Sequence, residues 1–295
     1  MQPLAAWLVA RPQNAVIGLA ATLLLPILQI VSGIIMVLLV LRQGARLAVV
    51  EAAVAGGLLV IVGLVAGAPV AEVIGSITST WLPALLFALV LQLTRSLTLT
   101  LQLSALLALG AVAAYYVAVD DLVAHWQPVL LMLQDWAQAN ELVEQGRLMQ
   151  EQPLLTANML TMAFVLANWM LYAIFLLLGY WLFTGIPGEN RHYGRFCDLN
   201  FGRVMALIMA VLSILALLVD AAWLQSTAFV LFAVFWLQGL AVLHWMHTDG
   251  HLPLFVVIVT YVLLPVLHVF LVTALAVLGY VDAWFRFRRR TPVHG

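Results

Sequence analysis

Long apolar runs separated by short charged segments make up most of the chain. Eight stretches contain no Asp, Glu, Lys or Arg. They cover residues 12–41, 52–71, 73–94, 96–119, 152–188, 204–219, 221–248 and 250–281. A helix needs about 20 apolar residues to cross a hydrocarbon core about 30 Å thick, so most of these runs are long enough to span a membrane.

The runs lack the alternation of polar and apolar residues that a transmembrane barrel requires. We therefore predict an all-α fold, a polytopic transmembrane helical bundle in which residues 1–295 form a single membrane domain. About eight spans are expected, and ten are possible. The two longest runs with a central proline, 12–41 and 250–281, are each either a hairpin of short helices turning near Pro26 or Pro265, or one kinked span.

The placement of arginine predicts the orientation of these spans. Arg42 and Arg46, Arg95, the arginines of a loop at 187–203, and those of a basic tail at 285–295 are expected to face the cytoplasm. The acid-rich segment 120–152 then lies outside the membrane on the opposite side. Its tryptophan and leucine spacing predicts an amphipathic helix at that surface. The expected location is a bacterial inner membrane, with both termini cytoplasmic.

Composition supports lipid as the principal partner. Charged residues make up 8% of the chain, against about 25% in an average soluble domain. All twelve basic residues are arginines and the net charge is −1, which excludes the dense basic surface of a nucleic-acid-binding protein. The single cysteine, Cys197, excludes an intramolecular disulfide.

No sequence motif indicates catalysis or a cofactor. The chain lacks the P-loop pattern, the HExxH zinc pattern and the GxSxG nucleophile elbow. The one cluster with catalytic or metal-binding residue types is His244, His247, Asp249 and His251. It has a spacing compatible with metal ligands or with a histidine base oriented by a carboxylate, but histidines and a glycine are also typical of a helix C-terminus. We therefore predict no enzyme, no cofactor and no metal, with this cluster as the weak alternative.

Polar residues inside the apolar runs are the better candidates for a ligand site. Amides and histidines there either bond across helices or line a pocket, and we take Asn168, Trp169, Gln238 and His268 as candidate ligand-binding residues. Ionisable groups in a membrane require a partner. Glu51 and Asp220 belong to this class, and Glu51 lies about one helical turn from Arg46.

Three stretches carry a family resemblance. They are LRQGAR at 41–46, WLQGLAV at 236–242 and LGYVDAWFRFR at 278–288. Together they resemble the YybS-like family of bacterial membrane proteins of unknown function, a family similar in fold to the S components of energy-coupling-factor vitamin transporters. The resemblance implies an S-component-like bundle that binds or transports a small hydrophobic or vitamin-like ligand. It departs from those transporters in the first helix, which in S components carries an AxxxA pattern for contact with the ATPase module. The nearest match here is Ala6 to Ala10, at the extreme end of the chain.

The same stretches contain residues expected to fix structure and topology. Arg42, Gly44 and Arg46 close an early hairpin. Asp282 precedes Arg286 by four residues and should pair with it on a continuing helix, with Trp284 at headgroup depth and Arg288 beyond. The alternative function is a scaffold or assembly factor that docks a cytoplasmic protein through loop 187–203 and tail 285–295.

Overall fold

A computed structural model describes residues 2–219 and 221–289, and within them the fold is all helical, with 85% helix and no strands. Thirteen α-helices follow one another. They are α1 (Gln2–Ala10), α2 (Pro12–Leu24), α3 (Gln29–Gln43), α4 (Ala45–Val65), α5 (Val70–Thr94), α6 (Leu97–Ala118), α7 (Leu122–Ala139), α8 (Val143–Glu151), α9 (Pro153–Thr184), α10 (Gly202–Leu218), α11 (Ala222–Thr248), α12 (Leu254–Leu263) and α13 (His268–Phe285). The prediction of an all-α chain is confirmed.

Six of the described helices are long and apolar enough to cross a membrane, namely α4, α5, α6, α9, α11 and α13. Four apolar helices are shorter, namely α2, α3, α10 and α12. Eight to ten spans are reached only if some of these shorter helices also cross. Large apolar side chains are exposed along the long helices, as lipid contact requires, so the chain has the properties of a multi-pass membrane protein.

The chain divides into two compact units. Unit 1 comprises residues 1–104 and 170–196, and unit 2 comprises 105–169 and 197–295. The unit boundaries fall within α6, within α9 and inside the predicted loop 187–203.

In unit 1 the apolar run 12–41 forms a helical hairpin. The backbone leaves the helical conformation at Leu25, and α2 and α3 pack against each other on either side of it. Ser32 Oγ donates a hydrogen bond to the carbonyl of Leu19 at 3.1 Å, which joins the two helices. This corresponds to the hairpin alternative at Pro26. Helices of 13 and 15 residues are each shorter than a full membrane crossing.

Helix α3 forms the core of unit 1, since every residue from Ser32 to Leu41 is buried. Helices α1, α2, α4 and α5 pack around it. Trp81 of α5 donates its indole N–H to Ser32 Oγ at 2.8 Å. Gly33 faces the ring of Phe175 so closely that a Cβ there would overlap it. The core of unit 1 therefore rests on close helix contacts with few polar bonds.

In unit 2, α11 is the central helix and contacts α10, α12 and α13. Two glycines make its contact with α13 possible. A Cβ on Gly239 would overlap the carbonyl oxygen of Leu275, and a Cβ on Gly279 would overlap that of Phe235. The backbones of the two helices thus touch directly, the arrangement that small residues permit in membrane helices.

The run 250–281 is interrupted at residues 264–267, between α12 and α13. Helix α12 packs against α11, where Tyr261 meets His244 edge to face with ring centroids 5.8 Å apart. The run is therefore two helices, and the interruption includes Pro265.

The acid-rich segment 120–152 consists of α7 and α8, which pack against each other. Asp121 caps α7 by accepting a hydrogen bond from the N–H of Ala124. Trp126 donates to Thr161 Oγ1 of α9 at 2.9 Å, whereas Trp136 is 56% exposed. The segment is therefore helical, and the first half of α7 is bonded to α9.

Candidate functional site

A cavity of about 420 Å³ in unit 1 is lined by basic and neutral polar residues. Its lining residues are Gln92, Arg95, Arg191, His192 and Tyr193, and none of them is acidic. We call this the arginine cleft. It combines the end of α5 with the segment that follows α9.

Arg95 lies at the turn between two helices that are long enough to cross a membrane, α5 and α6. It ends α5 in the left-handed conformation, φ 50° and ψ 29°, and its N–H bonds to the carbonyl of Leu91. Its side chain is exposed and forms no ion pair with any described residue. The guanidinium is therefore available to a ligand at the turn between these two helices.

The second arginine of the cleft is held by a buried carboxylate. Glu189, whose side chain is 4% exposed, accepts hydrogen bonds from Arg191 Nη2 at 2.8 Å and from Arg42 Nη1 at 2.9 Å. The hydrogen bond from the Arg191 side chain is the main cause that lowers the pKa of Glu189 to about 2. Arg42 and Arg191 share this one carboxylate. Arg95 forms no ion pair with any described residue, so positive charge remains in excess.

Stacked aromatic rings support the wall of the cleft. The rings of Phe183 and Tyr193 are nearly parallel, 4° apart in plane, with centroids 6.3 Å apart. Tyr180 Oη accepts a hydrogen bond from the Tyr193 N–H at 2.7 Å and donates one to the Gly194 carbonyl at 2.9 Å. Arg191 lies over the Phe183 ring at 5.0 Å. These contacts hold Tyr193 and Arg191 in place in the wall of the cleft.

A buried polar network occupies the centre of unit 2. The Gln238 carboxamide accepts from the Phe201 N–H and donates to Asp282 Oδ2, both at 2.8 Å. Arg288 Nη2 bonds to the same oxygen at 2.5 Å, and its guanidinium also donates to the carbonyls of Cys197 and Leu199, each at 2.6 Å. We call this set the Gln238–Asp282–Arg288 network. Every polar group of Gln238 has a partner inside the protein.

The predicted pairing of Asp282 with Arg286 is wrong. Helix α13 ends at Phe285, and Arg286 adopts a left-handed conformation with φ 50°. The chain therefore leaves the helical path, and Arg288 meets Asp282 in place of Arg286. Trp284 is half-buried against Tyr280, and its carbonyl accepts hydrogen bonds from Arg203.

The four candidate ligand residues have different environments. Gln238 is fully buried, and its amide oxygen and nitrogen each have a hydrogen-bond partner inside the protein. Trp169 is buried, and Asn168 donates to the carbonyl of Phe164 in its own helix at 2.8 Å. His268 is exposed at the first residue of α13.

The histidine cluster follows helix-terminal geometry. His244 Nδ1 lies 2.8 Å from the Leu240 carbonyl, and His247 Nδ1 lies 3.1 Å from the Leu252 carbonyl. His251 Nδ1 lies 3.2 Å from Asp249 Oδ2, and its ring stacks on Trp245. Residues 2–219 and 221–289 contain no group of three or more His, Cys, Asp or Glu arranged to hold a metal ion.

The early hairpin stretch is placed at the corner between α3 and α4. Gly44 joins the helices with φ 90° and ψ 159°, a conformation that favours glycine. Arg46 is exposed, and Glu51 bonds to Gln43 in place of Arg46. Asp220 lies outside the described residues, as do 290–295 of the basic tail.

Sequence reasoning missed two features of the cleft. Glu189 was not recognised as the carboxylate that binds Arg42, because the two residues are 147 positions apart. Nothing in the sequence around Gln92, beyond its position in an apolar run, predicted that it would line the cleft. The arginines themselves were visible in the sequence, but only as markers of orientation.

No protein-family model, no curated protein and no solved structure matches the chain.

Proposed function

We propose that this chain is a multi-pass protein of a bacterial cytoplasmic membrane, and that unit 1 binds a phosphate-type anion in the arginine cleft. The observation that carries this proposal is the guanidinium of Arg95, which has no ionic partner within residues 2–219 and 221–289. It lies next to Arg191 and His192 in a cavity whose lining residues include no acid. The proposal retains the small-molecule binding that the sequence suggested. It assigns that binding to the arginine cleft, and no longer to Asn168, Trp169, Gln238 and His268.

The chemistry of the lining favours phosphate over a simple halide. Guanidinium groups donate paired N–H bonds that match the oxygens of phosphate and carboxylate. Tyr193 and Gln92 add neutral hydrogen-bonding groups. Gln92 Nε2 already donates to the Val40 carbonyl at 2.7 Å, which holds its amide in place. A lipid headgroup and a free phosphate ester share this chemistry, and the position between the end of α5 and the start of α6 suits both.

The test compares two arginine substitutions in purified protein. R95Q removes the cleft arginine that forms no ion pair with a described residue, and Arg191 remains. R46Q is the matched control, because Arg46 is also exposed and does not line the cleft. One arm measures binding of inorganic phosphate and glycerol phosphate in neutral detergent. The other measures retention of phosphatidylglycerol by native mass spectrometry after extraction from nanodiscs. Binding in either arm identifies the source of the anion.

Wild-type protein and R46Q should bind alike, and R95Q should bind about tenfold or more weakly. A hydrogen bond to a charged group contributes about 1.5–3 kcal/mol, which corresponds to that factor. Raising the salt concentration should weaken binding further. Equal binding by R95Q and R46Q, or no binding in either arm, would overturn the proposal.

The resemblance to the YybS-like family and to S components remains part of the proposal. Its support in unit 2 is that two of the stretches on which it rests meet through the Gln238–Asp282 hydrogen bond.

A role as a scaffold or assembly factor is the alternative function. Arg288 is 9% exposed and bonded inside the protein, so docking of a partner would depend on other residues of loop 187–203 and tail 285–295.

A further inference from the structure

Glu51 is a buried acid in α4 whose polar atoms are only partly bonded. The residue is 3% exposed. Its Oε2 accepts a hydrogen bond from Gln43 Nε2, and its Oε1 is buried with no hydrogen-bond partner among the described residues. It lies six residues from the start of α4, about 9 Å along the helix.

Among the described residues of unit 1, no positive charge is placed to balance this carboxyl group. Helices α2, α3 and α5 pack against α4. Among them, α2 has no ionisable residue, α3 has only Arg42 and α5 has only Glu72. Arg42 pairs with Glu189, and Glu72 belongs to the first turn of α5, beside the far end of α4. On α4 itself, Arg46 is exposed and forms no ion pair with Glu51.

The remaining parts of unit 1 do not change this balance. Helix α1 and residues 97–104 contain no ionisable side chain, and residues 170–184 contain only Tyr172 and Tyr180. Arg11, at the start of α2, is exposed, and Arg95, Arg191 and His192 line the cleft. An ionised Glu51 would thus be a buried charge with a single hydrogen bond from a neutral amide, which is strongly unfavourable in apolar surroundings.

A neutral carboxyl group fits the observed contact. Its carbonyl oxygen accepts the Gln43 N–H, and the second oxygen carries the proton. We propose that Glu51 is a proton-binding site of unit 1, and that its proton exchanges through the corner between α3 and α4. Gln43 is half-buried at that corner, and Gly44 supplies a backbone that can move there. This function is separate from anion binding in the arginine cleft.

An apolar carbodiimide provides the test, because it reacts with protonated carboxyl groups in apolar surroundings. The carboxyl oxygen adds to the central carbon of the reagent and the proton moves to a reagent nitrogen. Rearrangement to the N-acylurea leaves a stable adduct with the mass of one whole reagent molecule. Peptide mass spectrometry of the full-length protein in detergent then reads out each acidic residue.

Wild-type protein should be labelled at Glu51 near neutral pH, and labelling should fall as the pH is raised and the proton is lost. E51Q should remove that adduct. Because it replaces one neutral group by another, it should leave the thermal unfolding temperature near neutral pH unchanged. Glu72, which is exposed, is the control for access and should react with a water-soluble carbodiimide that spares Glu51. Absence of the Glu51 adduct, or labelling that does not depend on pH, would overturn the proposal.

Discussion

The carboxamide of Gln238 donates to the carboxylate of Asp282 at 2.8 Å, which joins α11 to α13 beside the contact of Gly239 with Gly279. Arg288 neutralises the same carboxylate from beyond the end of α13. A buried ion pair of this kind is strongly destabilising when one partner is removed, because the other is left charged and unpaired. The network therefore holds the end of α13 against α11 and residues 197–201.

Replacing Arg288 should destabilise the protein more than replacing Arg286. R288A leaves Asp282 buried without a cation and should cost about 3–5 kcal/mol, whereas R286A removes a half-buried arginine whose side chain makes no bond to Asp282. Thermal unfolding of the two variants in one detergent measures the difference. Equal effects would show that the network is not formed as described.

The glycine contact between α11 and α13 should not tolerate a methyl group. G279A places a Cβ against the carbonyl oxygen of Phe235. It should lower the free energy of unfolding by about 1–3 kcal/mol, the range typical of overpacking. G110A in α6 is the matched control, since a Cβ there meets nothing within 4 Å. That control should be neutral or slightly stabilising, because alanine favours a helix. A G279A protein as stable as G110A would contradict the close approach.

Glu189 should make stability depend on acid pH. Its pKa is about 2 in the folded protein against an ordinary 4.5, so its contribution is present above 4.5 and is lost as the pH falls toward 2. E189Q should therefore lower the unfolding temperature at pH 7, and its difference from wild type should narrow toward pH 3. D135N, at an exposed acid, serves as the control and should show no such trend. A constant difference between pH 7 and pH 3 would count against this assignment.

The acid-rich segment and the end of α13 should be labelled from opposite sides of the membrane. In a C197A background, D135C should react with an impermeant thiol reagent from outside intact cells, and R286C only after permeabilisation. Both positions belong to unit 2, so the result tests its proposed topology. Reaction of both cysteines in intact cells would reject the orientation drawn from the arginines.

Helix content and preference for lipid follow from local composition, and the sequence alone therefore predicts them. A run of about 20 uncharged apolar residues can satisfy its backbone in hydrocarbon only as a helix, whatever its neighbours are. The prolines at 26 and 265 likewise indicated interruptions, and the chain is interrupted near both. The same patterns could not distinguish a hairpin from a kinked span, because that depends on which helices pack together.

The partners of the polar residues required the folded chain. Asp282 was matched to Arg286 on the assumption of a continuing helix, but the left-handed residue after Phe285 redirects the backbone and brings Arg288 to the carboxylate. The arginine cleft joins Arg95 to Arg191, nearly a hundred positions later in the sequence. Periodicity reports which face a residue occupies within its own helix, whereas side-chain pairing depends on loop geometry and on contacts between distant segments, which leave no local signal.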